Sequence, residues 1–224
     1  VEHIRRHQPV VVLKSRCHAH ERVPFNALDP LVDALGRHLL QLAPVEAASL
    51  MPRDVALLTR LFPTLRRVPA VRQMPWGTQP EVDGGLMRAR AFAAFKELLA
   101  RLGDRVPLIL CVDDLQWADD DSAELLCEVL RAPDAPACLF LGALREAEPD
   151  DQPLSTTFSE LAGVHYIELR LGPLGEAAAT ELTRALLGDS CTERELSLVV
   201  SEAAGSPFLL KELGRAAGAL GTTS

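Results

Sequence analysis

Apolar positions fall into two kinds of pattern along this chain. Apolar runs occur at Pro9–Cys17 (PVVVLKSRC), Val106–Val112 (VPLILCV), Ala137–Leu144 (ACLFLGAL) and Val164–Leu171 (VHYIELRL), with Val10–Leu13 and Val106–Val112 uninterrupted. Short runs without alternation are the pattern of strands buried on both faces, as in a parallel sheet. Between them, apolar residues recur at spacings of three and four. Leu28, Leu31, Leu35, Leu39 and Leu42 form one helical face, opened by Asp29-Pro30. Phe92, Phe95, Leu99 and Leu102 form another, in a helix over Leu86–Leu102 that Gly103 stops. The pattern also predicts a helix over Ser122–Arg131, capped through Asp121 with Glu124 three residues on, and a short one near Ser155–Leu161. Residues 44–82 are punctuated by prolines into short helical pieces such as Asp54–Leu61, and Pro69–Gly84 reads as a loop. After Pro173 three short helices follow without a strand: Glu176–Leu187, Thr192–Ala203 and Pro207–Ala217.

Strands alternating with helices across residues 9–171 imply crossover units and a parallel sheet. The length of 224 residues suits one domain with a small appendage. Composition narrows the class. Apolar residues make up 48% and charged residues 24%, too apolar for a disordered chain and too charged for a membrane bundle. No apolar run approaches the ~20 residues of a membrane span. Aromatics are only 4%, so the core is expected to be Leu, Val and Ala. The net charge of −8 argues against nucleic acid as the main partner of this segment. Five cysteines, an odd number, fit reduced thiols and a cytoplasmic location.

The densest chemistry is where the second apolar run meets Asp113-Asp114. Ligands of open α/β sheets bind outside the carboxyl ends of strands. A pair of acids there suits Mg²⁺, which takes a few carboxylates together with water and phosphate oxygens. The competing reading is that the two acids simply begin an exposed loop. Other groupings have simpler readings. Cys17-His18-Ala19-His20 has no second cluster to complete a metal site, and Asp119-Asp120-Asp121 suits a helix N-terminus. Arg88 and Arg90 are expected to be solvated, with a phosphate-facing role as the alternative.

The continuation Asp113-Asp114-Leu115-Gln116-Trp117-Ala118-Asp119 resembles the extended Walker B box of the signal-transduction ATPases with numerous domains, relatives of the AAA+ class. These occur in large bacterial regulators, some fused to serine/threonine kinase, adenylate cyclase or LuxR-type DNA-binding domains. Further pieces are similar to that family. They are Ser15-Arg16-Cys17 with Val23–Leu28, Arg88–Leu102, Leu144-Arg145-Glu146, Leu169–Leu174, and Gly205-Ser206-Pro207-Phe208 with Glu212-Leu213.

The resemblance implies an α/β fold: a parallel P-loop-NTPase-type sheet with helices on both faces, its first strand missing, followed by a small helical lid subdomain. Residues 1–173 would be the nucleotide-binding core without its Walker A unit, and residues 174–224 the lid. ATP and Mg²⁺ are the implied cofactors. Asp113 would hold the metal, and Asp114 would stand as the catalytic acid, one methylene shorter than the usual Glu. Arg145 would meet the γ-phosphate; the alternative is an ion pair with Glu146 or Glu148. Pro207 would line the adenine pocket, and equally suits a helix first turn. The roles of Gln116 and Trp117 stay open, with packing the simplest for Trp117. The implied partners are ATP and ADP, fused effector domains or other proteins, and further copies of the chain, with neither nucleic acid nor membrane bound directly.

The 224 residues contain no G-x-x-x-x-G-K-[ST]; the only lysines are Lys14, Lys96 and Lys211, none preceded by glycine. The order of elements places that loop upstream of Val1, with His3–His7 as the last turn of the helix after it. ATPase activity is therefore expected of a longer parent and not of this chain. A non-catalytic regulatory or interaction module that keeps the fold is the rival expectation.

Overall fold

The computed structural model describes residues 9–19, 23–74, 84–145, 166–188 and 192–221. The chain divides into two compact units, Val1–His165 and Tyr166–Ser224.

The first unit is built on three parallel strands, β1 (Val11–Arg16), β2 (Leu108–Asp113) and β3 (Cys138–Gly142), in the order β1-β2-β3. The helices are α1 (Asp29–Gln41), α2 (Pro44–Leu50), α3 (Val55–Leu61), α4 (Pro69–Arg72), α5 (Gly84–Gly103) and α6 (Asp120–Leu130). A 3-10 turn at Pro63–Arg67 separates α3 from α4, and another at Leu115–Trp117 follows β2. Pro69–Arg72 is thus helical where the sequence pattern predicts a loop. The prolines at 44, 63 and 69 all sit in first turns, where no hydrogen bond is lost.

Strand β2 is buried on both faces as expected, but β1 alternates. Val11, Leu13 and Ser15 point inward while Lys14 and Arg16 are exposed, and β3 is largely open, with Leu139 and Leu141 exposed. Among the described residues, one hydrophobic cluster joins α1, α5 and α6 to Val11, Leu13, Leu108, Leu110 and Val112, all on one sheet face. The reason is topological. Right-handed crossovers that step the same way across a sheet lay their helices on the same side. Both crossovers here, β1 to β2 and β2 to β3, step the same way.

The core is Leu-rich, yet it concentrates aromatics at one place. Phe25 lies 5.3 Å from Phe62 and 6.1 Å from Phe92, and Phe62 lies 6.0 Å from Phe95, centroid to centroid. Arg88 covers this group, its guanidinium 5.5 Å from the Phe25 ring and 4.9 Å from Phe92. It also pairs with Asp121 and Glu124 at 2.5 Å each. Arg90 forms a two-point pair with Asp54, at 2.6 and 2.9 Å. Neither arginine is the solvated group expected. Gly103 is required by close approach rather than by a left-handed cap: a Cβ there would stand 2.6 Å from the Ala137 carbonyl oxygen.

The second unit holds α7 (Glu176–Leu187), α8 (Glu193–Ala203) and α9 (Pro207–Gly221) around Ala179, Val199, Ala203 and Leu210. Thr192 caps α8 in a reciprocal pair with Glu195. Residues 166–171, expected to end a strand, form none, and Ile167, Leu169 and Leu171 are exposed. Apolar alternation marks what a strand needs, but a ladder forms only with a neighbour. Residues 146–165, which carry Glu146, Glu148 and the expected short helix, lie outside the described residues, as do 1–8 with the expected last helical turn.

Candidate functional site

Strands β1 and β2 end in charged residues, Arg16 and Asp113, at the same end of the sheet, and Arg145 follows β3 by three residues. Register pairs Arg16 of β1 with Asp113 of β2, and Val112 with Gly142 of β3. The ladder continues one step past the strands: Cys17 N–H donates to the Asp113 carbonyl, and Ala143 N–H to that of Val112. Leu115 N–H then donates to the Ala143 carbonyl at 2.9 Å, which folds the segment after β2 back across the end of β3. Gly142 makes this possible, since a Cβ there would stand 2.9 Å from the Leu115 side chain.

Asp114 sits at that fold in left-handed backbone (φ 53°, ψ 41°), a region Asp and Asn tolerate better than most residues. Its carboxylate is the hub of the site. Arg16 donates to Oδ2 from Nε at 2.9 Å and approaches from Nη2 at 2.8 Å. Gln116 Nε2 donates to Oδ1 at 3.2 Å, and Arg145 Nε lies 3.8 Å from the same oxygen. The hydrogen bond from Arg16 holds the Asp114 carboxyl below its usual range, against partial burial, with help from Gln116 and Arg145. The same bond raises Arg16. Asp113 is more exposed. Its Oδ1 accepts the Asp114 N–H at 3.0 Å, and Oδ2 lies 3.8 Å from Arg16 Nε.

Thus Asp113, Asp114 and Arg145 come together, joined by two residues that sequence reasoning does not assign. Arg16 is one; its signal is its position at the end of an apolar strand, and only strand order makes it Asp113's neighbour. Gln116 is the other. It bridges Asp114 to the segment after β3, its Oε1 accepting the Arg145 N–H at 3.2 Å. Trp117 is 46% exposed, so core packing does not explain it.

Behind the hub, Asp119 is the N-cap of α6, in place of the expected Asp121. It accepts from the Ser122 amide (3.0 Å) and hydroxyl (2.7 Å), and from the Phe25 and Asn26 amides at 3.0 and 2.7 Å. Asn26 reciprocates. Its Nδ2 donates to the Trp117 carbonyl and its Oδ1 accepts the Asp119 N–H. Burial pushes the Asp119 carboxyl up, but these donors outweigh it and hold it below the usual range.

The family of AAA ATPase domains matches residues 1–141, a stretch that takes in β1, β2 and all but the last residue of β3. The chain belongs to the AAA ATPase domain family. No curated protein and no solved structure matches it. As an AAA ATPase domain it is a nucleotide-binding module of P-loop type, and the sheet edge just described is where such a sheet binds ligands.

The donor set of this AAA ATPase domain suits Mg²⁺. Asp113 is an accessible carboxylate at a strand end with a second carboxylate adjoining, and Mg²⁺ needs only one or two when phosphates and water complete its shell. Among the described residues no group of three His, Cys, Asp or Glu gathers as an all-protein metal cage, and Cys17 is buried. Burial pushes the Cys138 thiol up to about 11, away from nucleophilic use. Pro207 lies in the second unit, at the first position of α9. It follows Gly205, where only glycine fits: φ is +77°, and a Cβ would stand 2.5 Å from the Leu174 carbonyl oxygen. No described helix is long and apolar enough to cross a membrane.

Proposed function

We propose that this chain belongs to a signal-transduction ATPase module that acts in the cytoplasm as a nucleotide-dependent switch. It belongs to the branch with numerous fused domains. Supporting this is the convergence of Asp113, Asp114 and Arg145 on one edge of a parallel sheet. Mg²⁺, when bound with ATP, supplies charge neutralisation for the phosphates. Asp113 is the residue to hold it. Asp114, once Arg16 releases it, orients the attacking water and accepts its proton. Arg145 meets the phosphoryl oxygens, a task suited to its planar fork. The helical second unit serves as the lid, with Pro207 against the adenine. Fused effector domains or further copies of the chain read out the state.

The 224-residue chain is expected to show no measurable ATPase and only weak Mg-ATP binding. Micromolar affinity by calorimetry would contradict this. In a parent that carries the phosphate loop, Asp114→Asn abolishes hydrolysis and spares binding; retained turnover refutes the role of Asp114. One observation favours a second reading, a regulatory module without hydrolysis. Arg16 and Gln116 already occupy the Asp114 carboxylate, which lowers its strength as a base. If a parent holding the loop binds ATP but does not turn it over, this second reading prevails.

A further inference from the structure

The stretch from Arg53 to Arg72 carries five arginines, Arg53, Arg60, Arg66, Arg67 and Arg72, and one acid, Asp54, already paired with Arg90. The surplus of positive charge stands in a chain of net charge −8. The helices force it outward. Leu57, Leu58, Phe62, Leu65, Val68 and Val71 are all buried, and every one of the five arginines is exposed. The 3-10 turn packs against α3, α4 and α1, and α1 carries the exposed Arg37. Most other arginines of this unit have carboxylate partners, as at Arg16, Arg88, Arg90, Arg101 and Arg131. Among the described residues no carboxylate pairs with Arg53, Arg60 or Arg67.

We propose that the arginine face of α3, the 3-10 turn and α4 is a docking surface for an acidic segment of a partner protein. Guanidinium forks match carboxylates two-point, which lysine does not. Pro63 and Pro69 fix the backbone of the face, so little freedom is lost on binding. Nucleic acid fits less well. Apart from the arginines, the exposed residues between 53 and 74 are Pro63, Pro69 and Gln73, with no aromatic to stack on a base. A long polyanion would also run past the patch onto an acidic chain. The face holds no exposed apolar anchor for a membrane surface.

The test is fluorescence anisotropy of the 224-residue chain with three probes: a labelled oligoglutamate peptide, a labelled oligothymidylate, and phosphatidylserine vesicles. Expected is saturable peptide binding that weakens with salt. It should fall about tenfold or more in the triple variant Arg53→Glu, Arg60→Glu, Arg67→Glu. Arg194→Glu with Lys211→Glu, on the second unit, should leave it unchanged. The neutral triple with Gln at the same three positions should give an intermediate loss, and it decides the matter if the reversed triple does not fold by circular dichroism. The proposal is overturned if the wild-type chain does not bind the peptide, or if the triples keep its affinity. Tighter binding of the oligonucleotide or the vesicles through the same arginines also overturns it.

Discussion

Asp114 and Asp119 stand five residues apart in one acidic box, and the fold treats them in opposite ways. Asp119 accepts four hydrogen bonds from Ser122, Phe25 and Asn26, three of them from backbone amides. Its donors belong to the start of α6 and to a loop that Phe25 enters at a positive φ of 64°. Asp114 faces side chains only, two of them long cations that are mostly exposed at their ends. A carboxylate fastened to the backbone holds a fold together. One held by movable side chains can exchange them for a ligand. The same residue type thus serves structure at one end of the box and is left available at the other.

The largest test of this contrast is Asp119→Ala. It removes a helix cap and strands the amides of Phe25 and Asn26, so a loss of about 3 kcal/mol is expected from urea unfolding. A loss under about 1 kcal/mol would mean the network is incidental. Its pH dependence has a definite sign. The folded Asp119 carboxyl titrates below its usual range, so the unfolded chain binds the proton more readily. Its stabilisation is complete above about pH 4, the ordinary Asp value, and is lost as pH falls through the folded value. The stability gap between wild type and Asp119→Asn should therefore narrow on acidification. A gap that widens contradicts the assignment.

Asn26→Ala comes next. Asn26 is buried and bridges the Trp117 carbonyl to the Asp119 N–H, so its loss leaves two backbone groups unpaired, at about 2 kcal/mol. The same unfolding measurement reads it. In the double variant with Asp119→Ala the two losses should sum to more than the pair costs together, because they share one network.

Part of this is legible in the chain. Apolar runs mark the strands at 11–16, 108–113 and 138–142 within a residue or two, and the box itself announces Asp113 and Asp114. Asp119 reads only as part of an acidic helix start, because nothing local tells that a loop more than ninety residues earlier needs its oxygens. Arg16 escapes sequence reasoning for the same cause, since pairing across a parallel sheet is set by strand order. The run at 164–171 has the composition of a strand, but pairing depends on a neighbour that composition does not name. That α1, α5 and α6 share one sheet face follows from the direction of two crossovers, which periodicity does not encode.

The smallest expected effect is also the most discriminating. Asp114→Asn keeps a residue that tolerates the left-handed backbone at this position. It gives up its ion pairs to Arg16 and Arg145, whose side chains are 61% and 77% exposed. Exposed pairs contribute little, because water and salt already satisfy both partners. The urea midpoint of the 224-residue chain should stay where it is, and Arg16→Gln should behave alike. A midpoint that moves as far as it does in Asn26→Ala would make Asp114 a second structural aspartate. The contrast within the box would then vanish, and the chemical role of Asp114 would lose the freedom to move that it depends on.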